Sequence, residues 1–502
     1  MGTAYATGRR RAVAGALLLC CSSASGIAGA HTTTETLGQY WRLRERLRSE
    51  FVSLGEGPGD GIPAERRDAT TIHYADATIH LGWYIGVLAT ELALLESPKH
   101  PGYDAGDAGA KARASSELAG ALGALDRLDL AADAAFDVPC TSTPSLNGFF
   151  LRDDATASQH TKFTGLTATA SDFLGSPAMK EMSQDQAVHL LVGLALVKKL
   201  VPSSLVVSSK GLRAQAVDAA VRIVTHMAVP NGWQITNPAC GARLVARGAD
   251  ARGLSKGFSV SVGFMTNGAT TLAADPWLGS LWDLLRTPNS LLSTDAQHMG
   301  IALAAVGRGF GASTFDDLVN LTSPQDWVLY PALHAALHGA TGTLHDWPSK
   351  GPTVANEAKK LLDELPLGAE PKAPPAGAVN PHGWSSSQRF IRAKAEHRSA
   401  QAGSGMRMPG LDFMLLHNLR ALTWPDDWSG PSFDAGAPLA TTPDAATRAA
   451  GEAPQPAPPR AAASTKGEET PSPGCSMGAR HAPPALALPL LGLLLWLGRR
   501  RR

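Results

Sequence analysis

The feature that most constrains this chain is a helical spacing of apolar residues that recurs from Thr34 to Leu422. In Asp76 to Glu96, the residues Leu81, Ile85, Leu88, Leu92 and Leu95 recur at intervals of four, three, four and three, which draws one apolar stripe along an α-helix. Ala187, Leu190, Leu194 and Val197 do the same in Met179 to Val201, and Pro202 ends that helix. The same reading predicts helices at Thr34 to Ser53, Lys111 to Ala134, Leu212 to Ala228, Phe258 to Ala273, Asp295 to Val306, Asp326 to His338, Val354 to Leu365, Ser385 to His397 and Leu411 to Leu422. Only Gly232 to Val245 reads as short extended segments, a small β element. Strands and helices do not alternate, so no parallel sheet organises the chain.

The two ends have a different character. Arg9 to Arg11, the apolar run Ala12 to Cys21 and the small residues Ala28-Gly29-Ala30 have the order of a secretory signal, which predicts a mature chain from about His31. The apolar run is too short for a retained membrane helix. A lipid-modified cysteine at Cys20 is disfavoured, because the leucines before it are not the small residues such a site uses. At the other end, Ala482 to Gly498 is apolar and Arg499 to Arg502 follow it, an order that suits a membrane span with its basic end in the cytoplasm. Residues 429–472, rich in Ala, Pro, Thr and Gly, cannot bury a core and read as a spacer. The expected organisation is thus a signal at 1–30, a helical body at 31–428, the spacer, and a tail at 473–502.

The tail resembles a known signal. Pro473-Gly474-Cys475-Ser476, then a short apolar helix and a terminal Arg cluster, looks like the MYXO-CTERM sorting tail of myxobacterial surface proteins. The resemblance implies a sorting and processing protease as partner, Cys475 as the site of processing and lipid attachment, and an outer-membrane surface location. A plain transmembrane anchor is the alternative, and both place the body outside the cytoplasm. Of the five cysteines, only Cys140 and Cys240 fall in the mature body. In an exported protein they can form one disulfide, with two free thiols as the alternative.

Eleven predicted helices in one body fit an all-α (α/α)6 toroid of helical hairpins with a small β element. No repeat of fixed period points to a solenoid. Four segments concentrate polar residues beyond what packing needs. Asn147 to Asp154 holds Arg152 beside Asp153 and Asp154, and adjacent carboxylates near an arginine suit general acid/base chemistry. Glu181, Asp185 and His189 share one helical face. Trp233, Asn237 and Arg247, with Arg243 between them, suit stacking on a sugar ring and hydrogen bonding to its hydroxyls if the indole is exposed, whereas a Trp buried under its loop has no such role. The last is Gly410 to Leu419, with Asp412 inside it and Trp384 and Arg389 upstream, which alternatively is a buried last helix.

Ser183-Gln184-Asp185-Gln186 is similar to the segment that opens inner-ring helices in six-hairpin glycosidase-like proteins, and Gly410-Leu411-Asp412-Phe413-Met414-Leu415-Leu416-His417-Asn418-Leu419 to the endings of helical-toroid surface proteins of unknown function. Together the four segments offer Asp153, Asp154 and Asp185 as catalytic candidates, and Arg152, His189, Trp233, Asn237, Arg247 and Asp412 as substrate-binding candidates, with Asp76 and His80 from the start of the Asp76 to Glu96 helix. Helix caps and structural ion pairs are the competing roles for the acids.

Other chemistries find less support. His334 and His338 have the spacing of two metal ligands, but Ala335-Ala336-Leu337 between them lacks the glutamate of the zinc-protease motif, so no metal is expected. There is no phosphate-binding loop and no nucleophile elbow, and no cofactor is expected. The net charge of +1 comes with no basic stripe, which argues against nucleic acid as a partner. The expected function is a cell-surface carbohydrate-active hydrolase that uses paired carboxylates on a polysaccharide or glycan. A non-catalytic glycan-binding or adhesion protein is the alternative.

Overall fold

The computed structural model describes residues 31–425 except 75, 137–143, 156–162, 164, 170–179, 230–231, 239–244, 246–247, 279–293, 309–313, 323–326, 340–346 and 372–406. The signal, spacer and tail lie outside the described residues, as do Cys140, Cys240, Arg247, Cys475 and the helix expected at Ser385 to His397.

The described residues are all-α in class, with eleven α-helices and five very short strands. The helices are α1 (Thr33–Glu50), α2 (Ala77–Glu96), α3 (Ala110–Ala135), α4 (Gln184–Leu200), α5 (Leu212–Ala228), α6 (Ser255–Met265), α7 (Thr294–Gly307), α8 (Thr314–Thr322), α9 (Leu329–His338), α10 (Trp347–Asp363) and α11 (Leu411–Thr423). All ten expected helices that fall on described residues are present. The short α8 was not expected. The clearest starts are written in local chemistry. At α1, Thr32 Oγ1 accepts from Glu35 N at 3.2 Å while Glu35 Oε2 accepts from Thr32 N at 2.8 Å, a reciprocal cap. At α4, Gln186 Oε1 accepts from Ser183 N at 3.1 Å.

Strands β1 (Arg66–Arg67), β2 (Thr71–His73) and β3 (Thr167–Thr169) form a sheet in which β2 is antiparallel to β1 and parallel to β3. β4 (Val206–Val207) and β5 (Lys210–Gly211) make a small hairpin. Of the β element expected at Gly232 to Val245, residues 239–244 lie outside the described residues; in the rest, Gln234 forms an isolated antiparallel bridge with Asp250, flanked by the hydrogen bonds Ile235 N to Ala249 O and Ala251 N to Trp233 O.

The helix α2 is buried on nearly every side, and α3, α4 and α11 pack against it. Packing continues from α4 to α7, from α7 to α9, from α9 to α11, and α11 returns to α2. The helices α2 and α4 run side by side in the same direction, since Gly82 lies against His189 and Gly86 against Leu196. Their backbones approach so closely that a Cβ at Gly82 would lie 2.3 Å from the His189 carbonyl oxygen, and one at Gly193 would lie 2.1 Å from that of Gly82. Only glycine permits this contact. It brings the N-terminal ends of α2 and α4 together, and the polar residues of both starts with them.

Candidate functional site

Where α2 and α4 begin, four side chains from three segments join. Arg152 reaches the site because its backbone N–H donates to Lys180 O at 2.9 Å, and Leu151 bridges to Glu181. Its guanidinium then donates from Nε to Glu181 O at 2.8 Å, from Nη1 to Asp76 Oδ1 at 3.3 Å and from Nη2 to Ser183 Oγ at 3.5 Å. Ser183 Oγ in turn donates to Asp185 Oδ1, and that oxygen also accepts from Gln186 N at 3.0 Å. Asp76 and Asp185 are therefore linked through one arginine and one serine. Asp76 and Arg152 keep 17% and 15% of their side-chain surface exposed, enough for a ligand to touch. Two carboxylates beside a guanidinium and a hydroxyl can hold sugar hydroxyls, and two carboxylates are what glycosidic cleavage requires.

Beneath this cluster lies a buried aromatic layer. Trp83 Nε1 donates to His189 Nδ1 at 2.9 Å, and the His189 ring stacks on His298 with centroids 5.5 Å apart. His80 and His189 are both buried, so they support the cluster from inside the fold.

Several expected site residues stand elsewhere. Asp153 is fully buried, and its Oδ1 accepts from Ala155 N at 3.1 Å. Asp154 accepts from Arg127 Nε at 2.6 Å and from Gly59 N at 2.7 Å, tying the loop before β1 to α3. The adjacent carboxyls expected as acid and base thus have separate surroundings: one is inside the protein and the other is held in an ion pair. Burial, with help from Asp153, Asp60 and Asp154, pushes the Tyr74 hydroxyl well above its ordinary value, so it stays protonated.

Trp233 takes the second of its two expected placements, under its loop. It is buried, stacked on Phe258 at 6.4 Å, and its Nε1 donates to Ala273 O at 2.9 Å, so its ring is not offered to a sugar. Asn237 is buried beneath the same loop. Asp412 is fully buried in the first turn of α11, where Oδ1 accepts from Phe413 N at 2.9 Å. His338 Nε2 lies 3.0 Å from Ala305 O, and burial pulls the His334 imidazole down to about 3, so that ring is neutral. Among the described residues no group of three metal-ligating side chains occurs.

A second polar centre lies at the other end of α2. Arg44 donates to Glu91 at 2.8 Å and to Glu117 at 2.7 Å, Tyr84 donates to Glu117 at 2.5 Å, and Tyr40 donates to Glu91. Asn418 Nδ2 contacts Tyr40 and Thr90. Of these residues only Asn418 falls in a segment that the sequence singles out. Glu91, the lone acid within an otherwise apolar α2 before its last residue, was the available signal.

Comparisons with protein-family models, with characterised proteins and with solved structures give no match for this chain.

Proposed function

We propose that this protein is an exported, surface-held glycoside hydrolase of the (α/α)6-toroid type, with Asp76 and Asp185 as its carboxylate pair. The observation that carries the reading is the Asp76–Arg152–Ser183–Asp185 linkage at the paired starts of α2 and α4. One carboxyl protonates the glycosidic oxygen as the leaving group departs, and the other activates water or attacks the anomeric carbon. Arg152 fixes the orientation of Asp76, and Ser183 fixes that of Asp185. The toroid reading is supported by the packing order α2, α4, α6, α7, α9, α11 and back to α2, with α1, α3, α5, α8 and α10 as the other described helices. The surface location is supported by the signal-like start and by the Gly474-Cys475 tail, which resembles a sorting signal.

The experiment is turnover of a polysaccharide panel by the wild type, Asp76→Asn and Asp185→Asn, with folding of each checked by circular dichroism. Each variant should lose activity by about 10²- to 10⁴-fold. Unchanged turnover in both variants overturns the assignment. Every acid in the cluster already has a protein partner, and this favours a second reading in which the same face binds a glycan without cleaving it. Saturable glycan binding by a wild type that releases no reducing ends selects that reading.

A further inference from the structure

At the far end of α2 from this cluster, a half-open cavity of about 220 Å³ lies between α1, the start of α3 and the turn at Asp104 to Asp107. Asp76 and Glu91 are fifteen positions apart, so the two places are separated by roughly 22 Å along the helix. We propose that this cavity is a second ligand site, and that it binds a single neutral sugar ring or similar polyol.

Size sets the first limit. At roughly 30 Å³ per water the space equals about seven waters, which admits one ring-sized polar molecule and falls below the roughly 300–1,000 Å³ of clefts for larger ligands. One wall is Trp41, and it is held in place from two sides. Its Nε1 donates to Tyr103 O at 2.6 Å, and its ring meets Tyr40 edge-on at 5.2 Å and Tyr103 at 5.8 Å. The indole is partly exposed, so a fixed aromatic face is available to the C–H face of a sugar.

Charge sets the second limit. The lining acids and bases are already matched to one another: Arg44 with Glu91 and Glu117, Arg48 with Glu45 and Glu117, and Arg113 with Asp107. Asp104 Oδ1 accepts from Gly106 N at 3.1 Å. Five carboxylates face three guanidiniums here, so an anion is repelled, and a cation must compete with the arginines already placed on Glu45, Glu91, Asp107 and Glu117. A neutral hydroxylated ring adds hydrogen bonds to oxygens and N–H groups that already stand in pairs, and each hydroxyl both donates and accepts.

The test is calorimetric titration of the full chain with glucose, galactose and mannose. Wild type should bind at least one of them saturably. Trp41→Ala should weaken that binding at least tenfold, and Ala105→Trp, a bulky side chain on the cavity wall at a residue of φ +53°, should abolish it in protein whose fold is checked by circular dichroism. Neither Trp41 nor Ala105 belongs to the Asp76 cluster, so loss of binding in these variants reports this cavity alone and stays readable if the hydrolase proposal fails. No saturable binding of any of the three sugars, or equal binding by wild type and Ala105→Trp, overturns the proposal. Saturable binding of putrescine or Ca²⁺ that Ala105→Trp abolishes, with no sugar bound, also overturns it, because the site then selects charge.

Discussion

Trp83 Nε1 donates to His189 Nδ1 at 2.9 Å across the contact between α2 and α4. A neutral imidazole that accepts at Nδ1 carries its proton on Nε2, so this bond fixes the tautomer as well as the ring position. Trp83→Phe keeps an aromatic ring but removes the donor from a buried acceptor. The expected cost is about 1–3 kcal/mol, read as a lower midpoint in urea unfolding.

The glycines of the same contact give a paired prediction. Gly193→Ala puts a methyl 2.1 Å from a backbone oxygen that cannot move without shifting α2, whereas Gly123 in α3 has nothing within 4 Å of its would-be Cβ. Gly193→Ala should destabilise by about 1–3 kcal/mol or more. Gly123→Ala should stabilise by about 0.5–1 kcal/mol, because alanine loses less backbone entropy in a helix. Thermal unfolding of the two variants beside wild type reads both signs.

The buried ion network predicts a large single loss. Arg44 is the shared partner of Glu91 and Glu117, and all three are buried. Arg44→Met leaves two carboxylates without that partner inside the protein, which should cost about 3–5 kcal/mol. The triple replacement Arg44→Met, Glu91→Leu, Glu117→Leu should recover much of that loss if desolvation is the cause.

Acid should destabilise the fold through its histidines. Burial holds His417 at about 4 and His334 at about 3, below the ordinary 6.5. The unfolded chain therefore takes up protons that the folded chain refuses, so stability is full above about pH 6.5 and falls as pH drops toward 4. Asp129 runs the other way: burial raises it to about 6 from 3.8, so its contribution is present at low pH and lost as pH rises through 6. The two histidines carry the larger effect. Melting temperatures from pH 7.5 to 4 should fall, and His334→Phe should flatten the curve.

Asp154 and Asp185 separate structure from chemistry. Asp154→Asn weakens the Arg127 pair at 2.6 Å and should cost about 1 kcal/mol while glycan turnover stays near wild type. Asp185→Asn should show the reverse, with stability nearly kept and turnover lost. Loss of turnover in Asp154→Asn with its stability intact returns the acid/base role to the adjacent pair.

The sequence by itself determined where the helices lie. Apolar spacing marks α5, where one face is dry and 3.6 residues per turn leaves a readable stripe, and it also marks α2 and α4, which are buried nearly all round, to within a few residues. Short α8 escaped it, since nine residues hold too few turns for a stripe to stand out. The polar segments around Arg152 and Asp185 were also legible as clusters of side chains beyond the needs of packing. Which acid sits where was not legible. Asp153 and Asp154 are neighbours in the chain, but one turns into the core and the other to Arg127, while Asp76 and Asp185 meet through Arg152 across 109 positions. Glu91 and Glu117 were hidden for the same reason: a lone acid on an apolar helix looks like an interruption until another helix brings it an arginine. Periodicity is a property of neighbours along the chain, whereas charge pairing depends on which helices touch. Here the backbone contact at Gly82 and Gly193 decided that for α2 and α4.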